Sequence, residues 1–172
     1  IVRSYQLAAQ SRLTIRVDDI PGLEDADVST VVESLAGLSL AVERTMTWDG
    51  SAYGGHGGTA VEASATTWYF AEGSQGFFDT FVLLANAGDT NANVTITYLR
   101  ESADPIVREY AVAAQSRASI SAGQDAALAG QAFSMIVQSD VPIIAERAMY
   151  WSRGQTFWIG GHESAGVSAP AT

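Results

Sequence analysis

Ala8-Ala9-Gln10-Ser11-Arg12 recurs unchanged as Ala113-Ala114-Gln115-Ser116-Arg117, and the residues around the two copies follow one another in the same order. Val2, Arg3 and Tyr5 lead into the first copy as Val107, Arg108 and Tyr110 lead into the second. Downstream, Val31 to Ser34 answers Ile136 to Ser139, Arg44 answers Arg147, and Trp48 answers Trp151. A Gly-Gly-His then closes both series, at His56 and His162. Self-similarity held over so long a run predicts an internal repeat of about 105 residues.

The block between the copies contains Thr66 to Gly73 (TTWYFAEG... opening), Phe78 to Asp89 and Asn93 to Leu99, and it has no counterpart ahead of Ile1. Ile1 aligns with Ile106, so residues 1–63 are expected to form the C-terminal part of a first β-sandwich repeat and residues 64–172 a complete second repeat.

Alternation of apolar and polar residues predicts strands throughout. Ile1, Arg3, Tyr5 and Leu7 share one face of a first strand, and Leu13, Ile15 and Val17 share the inward face of a second, Arg12 to Val17. Val28 to Ser34 and Leu38 to Trp48 read as a hairpin turning at Leu35, Ala36 and Gly37, with Ser139 to Pro142 as the turn in the second copy. Thr66 to Ala71, Thr80 to Asn86 and Asn93 to Leu99 supply three more strands, with a turn near Gly88 and Asp89. About seven to nine short strands per repeat, with no convincing helix, predict an all-β, immunoglobulin-like β-sandwich.

Along the later strand Val141, Ile143, Ala145, Arg147 and Met149 share a parity, as do Leu38, Leu40, Val42, Arg44 and Met46. An arginine is therefore expected on the inward face of each copy, where it needs a carboxylate or carbonyl partner. Glu72 is the expected partner of Arg147.

All nine basic residues are arginine, against nineteen carboxylates, for a net charge of −10. Phosphate binding needs a basic footprint, so nucleic acid is not an expected partner. No apolar run is long enough for a spanning helix, and no membrane insertion is expected from these residues. Without cysteine, disulfides, thiolate metal sites and a cysteine nucleophile are excluded.

The residues that invite a chemical reading have plainer ones. Asp18, Asp19, Glu24, Asp25 and Asp27 crowd one loop and could collect calcium, but the second copy keeps only Asp125 there, and a solvated acidic loop accounts for the run. His56 and His162 come one per copy, too few for a closed zinc site. Glu43-Arg44 and Glu146-Arg147 are adjacent on strands and point to opposite faces, so neither pair converges on one substrate. No G-x-S-x-G elbow occurs. Trp151, Phe157 and Trp158 form a sugar-stacking platform, a plug at the end of the sandwich, or a contact with the next repeat. No catalytic, cofactor-binding or metal residue is assigned, and no cofactor is expected.

At TTWYFAEG, FDTFVLLANAGDTNANVTITYL, VREYAVAAQSR, VPIIAERAMYW and GGHESAGVSAP the chain resembles a family of roughly hundred-residue tandem repeats of large secreted or cell-surface bacterial proteins. The resemblance covers essentially the whole chain and departs at Gly50 to Gly58, where the first copy lacks the aromatic tail. It implies an immunoglobulin-like sandwich serving as a stalk, spacer or adhesive module, with no catalytic residue to carry over. The expected function is therefore that of a non-enzymatic extracellular or cell-surface structural protein: a stalk, adhesin or filament subunit. Its expected partners are neighbouring repeats or copies of the same protein, with the first repeat completed by upstream chain or by strand exchange between chains. The alternative is a carbohydrate-binding module using the Trp151 to Trp158 hairpin, with cell-surface glycans as partners.

Overall fold

Ten antiparallel strands and three single turns of 3-10 helix make up the regular structure of the computed structural model, which describes residues 1–50 and 53–168. The strands are β1 (Glu43–Trp48), β2 (Gly54–Thr59), β3 (Ala65–Ser74), β4 (Phe78–Asn86), β5 (Ala92–Arg100), β6 (Ala103–Val112), β7 (Ser116–Ser121), β8 (Ala132–Arg153), β9 (Thr156–Ala165) and β10 (Val167–Ser168). The protein is all-β, and from β3 onward it is sandwich-like.

The strand β8 organises this part. Its first half lies between β3 and β5, with β10 beyond β3 and β6 beyond β5. Its second half lies between β4 and β9, with β7 beyond β4. One 22-residue strand thus belongs to two sheets. Alternation along it buries Phe133, Met135, Val137, Ile143 and Ala145 against Trp68, Val82, Leu84, Val94, Ile96 and Tyr98. The expected strands at Thr66–Ala71, Thr80–Asn86 and Asn93–Leu99 fall within β3, β4 and β5.

The expected hairpin turn at Ser139–Pro142 does not form, since β8 continues past it, but the chain bulges there: pairing with β3 passes from Gln138↔Thr67 directly to Ile143↔Ala65. At this point the strand changes partners: its pairing with β5 ends at Ser139, opposite Val94, and its pairing with β4 begins at Ile144, opposite Ala85. A proline is tolerated where a ladder bond is not required, and Asp140 fixes the crossing by accepting from the Asn93 backbone N–H at 2.8 Å and its Nδ2 at 2.6 Å. The first copy does turn here: the Gly37 N–H donates to the Ser34 carbonyl at 3.0 Å, and Gly37 sits at φ 67°.

A larger departure concerns residues 1–42, which contain no strand despite their alternation. The reason lies in who pairs with whom. In the second copy β6 pairs with β5, β7 with β4, and the first half of β8 with β3 and β5. Among the described residues, none stands in the place of these partners beside residues 1–42. A strand is a ladder, so a segment without a partner cannot satisfy its backbone groups and forms none. Only β1 keeps its natural partner, β2, paired from Glu43↔Thr59 to Trp48↔Gly54.

Local features are nevertheless shared by the two copies. Gln10 and Gln115, matched positions of the repeated pentapeptide, both take positive φ, 55° and 49°. The 3-10 turns Val17–Asp19 and Ala122–Gln124 also correspond. After them, Leu23 N–H donates to the Ile20 carbonyl and Leu128 N–H to that of Asp125, each at 2.9 Å.

Compactness divides the chain into Ile1–Thr30 and Val31–Thr172. The expected boundary at 63/64 follows the sequence copies instead. The hairpin β1–β2 belongs to the first copy by sequence, yet it packs on residues of β8 and β9, as described next.

Candidate functional site: the seat of the β1–β2 hairpin

Alternate burial along β8 fails at one place. Arg147 and Met149 are buried on the inner face, but Ala148 and Tyr150 are buried as well. Adjacent strand residues point to opposite faces, so something covers the outer face here. The cover is β1–β2, lying with the face that carries Arg44, Trp48 and His56 against the sheet.

An ion pair and an aromatic cluster make the contact. Arg44 Nη2 lies 2.9 Å from Glu163 and 3.7 Å from Glu146. The Glu163 side chain is only 3% exposed, whereas that of Arg44 is 44% exposed. His56 Nε2 and the Tyr150 hydroxyl are 3.2 Å apart. The Trp48 ring meets Tyr150 edge-on at 5.4 Å, and its Nε1 donates to the Trp158 carbonyl at 2.6 Å. Trp158 stacks on Tyr150 at 5.0 Å and donates from Nε1 to Asp79 at 2.9 Å. Its backbone has φ 51°, and its N–H donates to the Ser152 hydroxyl. Gly58 permits the approach, since a Cβ there would collide with the Glu163 carboxylate.

The titrating groups respond in opposite senses. Burial, then the Arg44 charge, pushes the His56 imidazole below its usual value, with Glu163 opposing. Burial, then the Glu163 carboxylate, pushes Glu146 up, with Arg44 opposing.

On the inner face, Arg147 is buried as expected, but its main partner on Glu72 is the backbone carbonyl, to which Nη1 donates. The Glu72 carboxylate stands 3.7 Å away and 68% exposed. Nη2 lies 3.0 Å from His162 Nε2 and donates to the Ser164 hydroxyl at 3.2 Å. Burial lowers the Arg147 pKa, with Glu72 opposing. Arg44, expected to be inward too, is instead the partly exposed member of the seat.

The other sequence candidates are dispersed. Asp18 and Asp19 lie 3.8 and 3.7 Å from Arg16, and Glu24 accepts from the Gly22 N–H. Among the described residues no three His, Asp or Glu side chains converge as metal ligands, and no helix is long and apolar enough to cross a membrane. His56 and His162 serve different faces, beside Tyr150 and Arg147 respectively. Trp151 shares the parity of Met149 and meets Phe78 edge-on at 6.1 Å, while Trp158 joins Tyr150 on the outer face; the two do not form one platform.

Sequence reasoning missed as a surface Tyr150, Glu163 and Phe81, whose ring meets Tyr150 at 5.8 Å and Trp158 at 6.1 Å. A signal was available: the outward positions Ala148 and Tyr150 replace Thr45 and Thr47 of the first copy. Apolar substitution on the nominal solvent face marks a face that is covered.

Together these features define an antiparallel all-β protein of sandwich-like build, with an outer sheet face covered by the β1–β2 hairpin through an arginine and an aromatic cluster. Among solved structures, the crystal structure of Thermotoga maritima 1070 is similar in fold, with a TM-score of 0.57 at 18% identity over 63% of this chain and 98% of that one. The Anabaena sensory rhodopsin transducer aligns with a TM-score of 0.44 at 27% identity, over 51% of this chain and 86% of that one. No family model matches the chain, and no curated protein is significantly similar to it.

Proposed function

We propose that the protein is a non-enzymatic structural module, an immunoglobulin-like repeat of an extracellular or cell-surface stalk, adhesin or filament. The observation that supports this most is the join between the two sequence copies. The connection Ala60–Ser64 between β2 and β3 is short, and Val61 packs against the core of the second copy, while the Ala60 N–H extends the β1–β2 ladder by donating to the Val42 carbonyl at 3.0 Å. A docked connection transmits orientation and force, where a free linker does not. Copies of the chain joined head to tail are therefore expected to appear in negative stain as straight rods, lengthening in equal steps with copy number. Random bends between copies would overturn the stalk reading.

Carbohydrate binding is the second reading, supported by the exposed Phe157 beside Trp158 on the β8–β9 hairpin. Binding to a panel of cell-surface polysaccharides, lost on Phe157→Ala, would favour it over the stalk.

A further inference from the structure

The face of β1–β2 that carries Arg44, Met46, Trp48 and His56 corresponds, residue by residue, to the face of β8–β9 that carries Arg147, Met149, Trp151 and His162. Both hairpins are built alike: a Cβ at Gly54 would strike the Trp48 indole, as one at Gly160 would strike that of Trp151. Their surroundings differ. The second face is turned inward, with Arg147 bonded to the β3 carbonyl of Glu72 and Met149 buried. The first lies against the outer side of the sheet, with Arg44 on Glu163 and His56 on Tyr150.

The run leading into β1 makes the same contrast. Val31–Val42 corresponds to the first half of β8, which β3 and β5 flank. Leu40 is 45% exposed where Ile143 is 1% exposed. Each group on this face thus has two possible partners, one seen in place and one seen in its counterpart, and it cannot hold both.

We propose that the Arg44–Trp48–His56 face, with the run Val31–Val42, is a binding surface for a three-strand segment of the β3–β5 kind, and that its seat on Tyr150 and Glu163 is the competing state. The partner is defined chemically. It carries alternating apolar residues in the pattern of Trp68 and Phe70, Val82 and Leu84, and Val94 and Ile96, and it offers a backbone carbonyl at the Glu72 position to receive the guanidinium. The segment already present is engaged with β8. Exchange between copies of the chain would fill one such surface by emptying another, so the occupant is a β3–β5 segment that is not already paired. This inference goes beyond the stalk reading and does not depend on it.

The test uses the 172-residue chain and a dye-labelled synthetic peptide of residues 66–105. Gly58→Cys with Glu163→Cys places the only two thiols of a cysteine-free chain across the seat, where a short bifunctional thiol reagent closes it. The open chain is expected to bind the peptide, with a change in tryptophan emission as Trp48 leaves Tyr150, and the closed chain to bind at least about tenfold more weakly. Equal binding by open and closed chains would overturn the proposal, because it would mean exchange elsewhere. In the unmodified chain, the peptide should also slow amide hydrogen exchange over residues 31–42; no gain of protection there would overturn it independently.

Discussion

Leu7 and Val32 occupy the positions that Val112 and Val137 occupy in the second copy, and they differ from them mainly in company. Leu7 is 45% exposed and Val32 52%, against 2% and 0%. The turns at the repeated pentapeptide and the 3-10 turns that follow match, down to a left-handed glutamine in each copy, while the strands beside them pair in one copy alone. Turn geometry is decided within a few residues. Strand formation is decided by a neighbour that lies far away in sequence, so the same words have two structural meanings.

The widest separation between the copies should come from matched core truncations. Ile143→Ala is expected to cost about 2–5 kcal/mol, since it opens a cavity beside Val137 and Ala145. Leu40→Ala, at the matching position, should stay within about 0.5 kcal/mol, as exposed substitutions do. Chemical denaturation monitored by circular dichroism reads both. Equal costs would mean that the first copy has a core of its own, and the contrast would collapse.

The two arginines sharpen the comparison next. Arg147→Ala should cost about 3 kcal/mol, because a buried network with the Glu72 carbonyl, His162 and Ser164 loses its centre. Arg44→Ala should cost about 1–2 kcal/mol, chiefly by leaving the buried Glu163 without its cation. Glu72→Ala should cost less than about 1 kcal/mol: its exposed carboxylate contributes little, and the carbonyl that holds Arg147 survives the substitution. A cost near that of Arg147→Ala would show that the carboxylate, not the carbonyl, carries the pair. Thermal melting of the three variants orders them.

These costs also mark what could be read without coordinates. The parity of Arg147 and the alternation of Val94, Ile96 and Tyr98 were legible, because period two is a property of the residues themselves. Glu72 was legible as a neighbour, but not the atom that would matter, since a backbone carbonyl leaves no trace in a side-chain pattern. The passage of β8 through Pro142 was illegible for a different reason. Proline and aspartate favour turns locally, and here they are accommodated in a bulge, between Gln138 and Ile143, at which β8 changes partners from β5 to β4. The seat at Tyr150 needed a comparison of the copies, Thr45 and Thr47 against Ala148 and Tyr150, rather than a reading of either one.

Acidification should affect the seat before the core. His56 has a lowered pKa in the seated hairpin, so the unseated form binds the proton more readily, and the seat is stabilised above the ordinary value of about 6.5. That stabilisation is lost as pH falls from there through the lowered value. Glu146 has the opposite sign: its raised pKa favours the seated form below about 4.3 and ceases to do so as pH rises through the raised value. Tryptophan emission followed from pH 7.5 downward should therefore report loosening of Trp48 from Tyr150 below about pH 6.5, and His56→Gln should abolish that step. A step that persists in His56→Gln would assign it to another group.

The smallest effect concerns the feature that both copies share. Gln10 and Gln115 hold positive φ, a region that glycine enters without a Cβ penalty. Gln115→Gly relieves that strain in the folded chain but gives the unfolded chain more freedom, two effects of similar size and opposite sign. The net gain should be no more than about 0.5 kcal/mol. At Gln10 the same substitution should leave the denaturation midpoint of the second copy unmoved, because no ladder depends on that turn. A shift produced by Gln10→Gly as large as that from Gln115→Gly would mean that the first copy's turn is tied into the cooperative core, and that the two copies differ less than their burial implies.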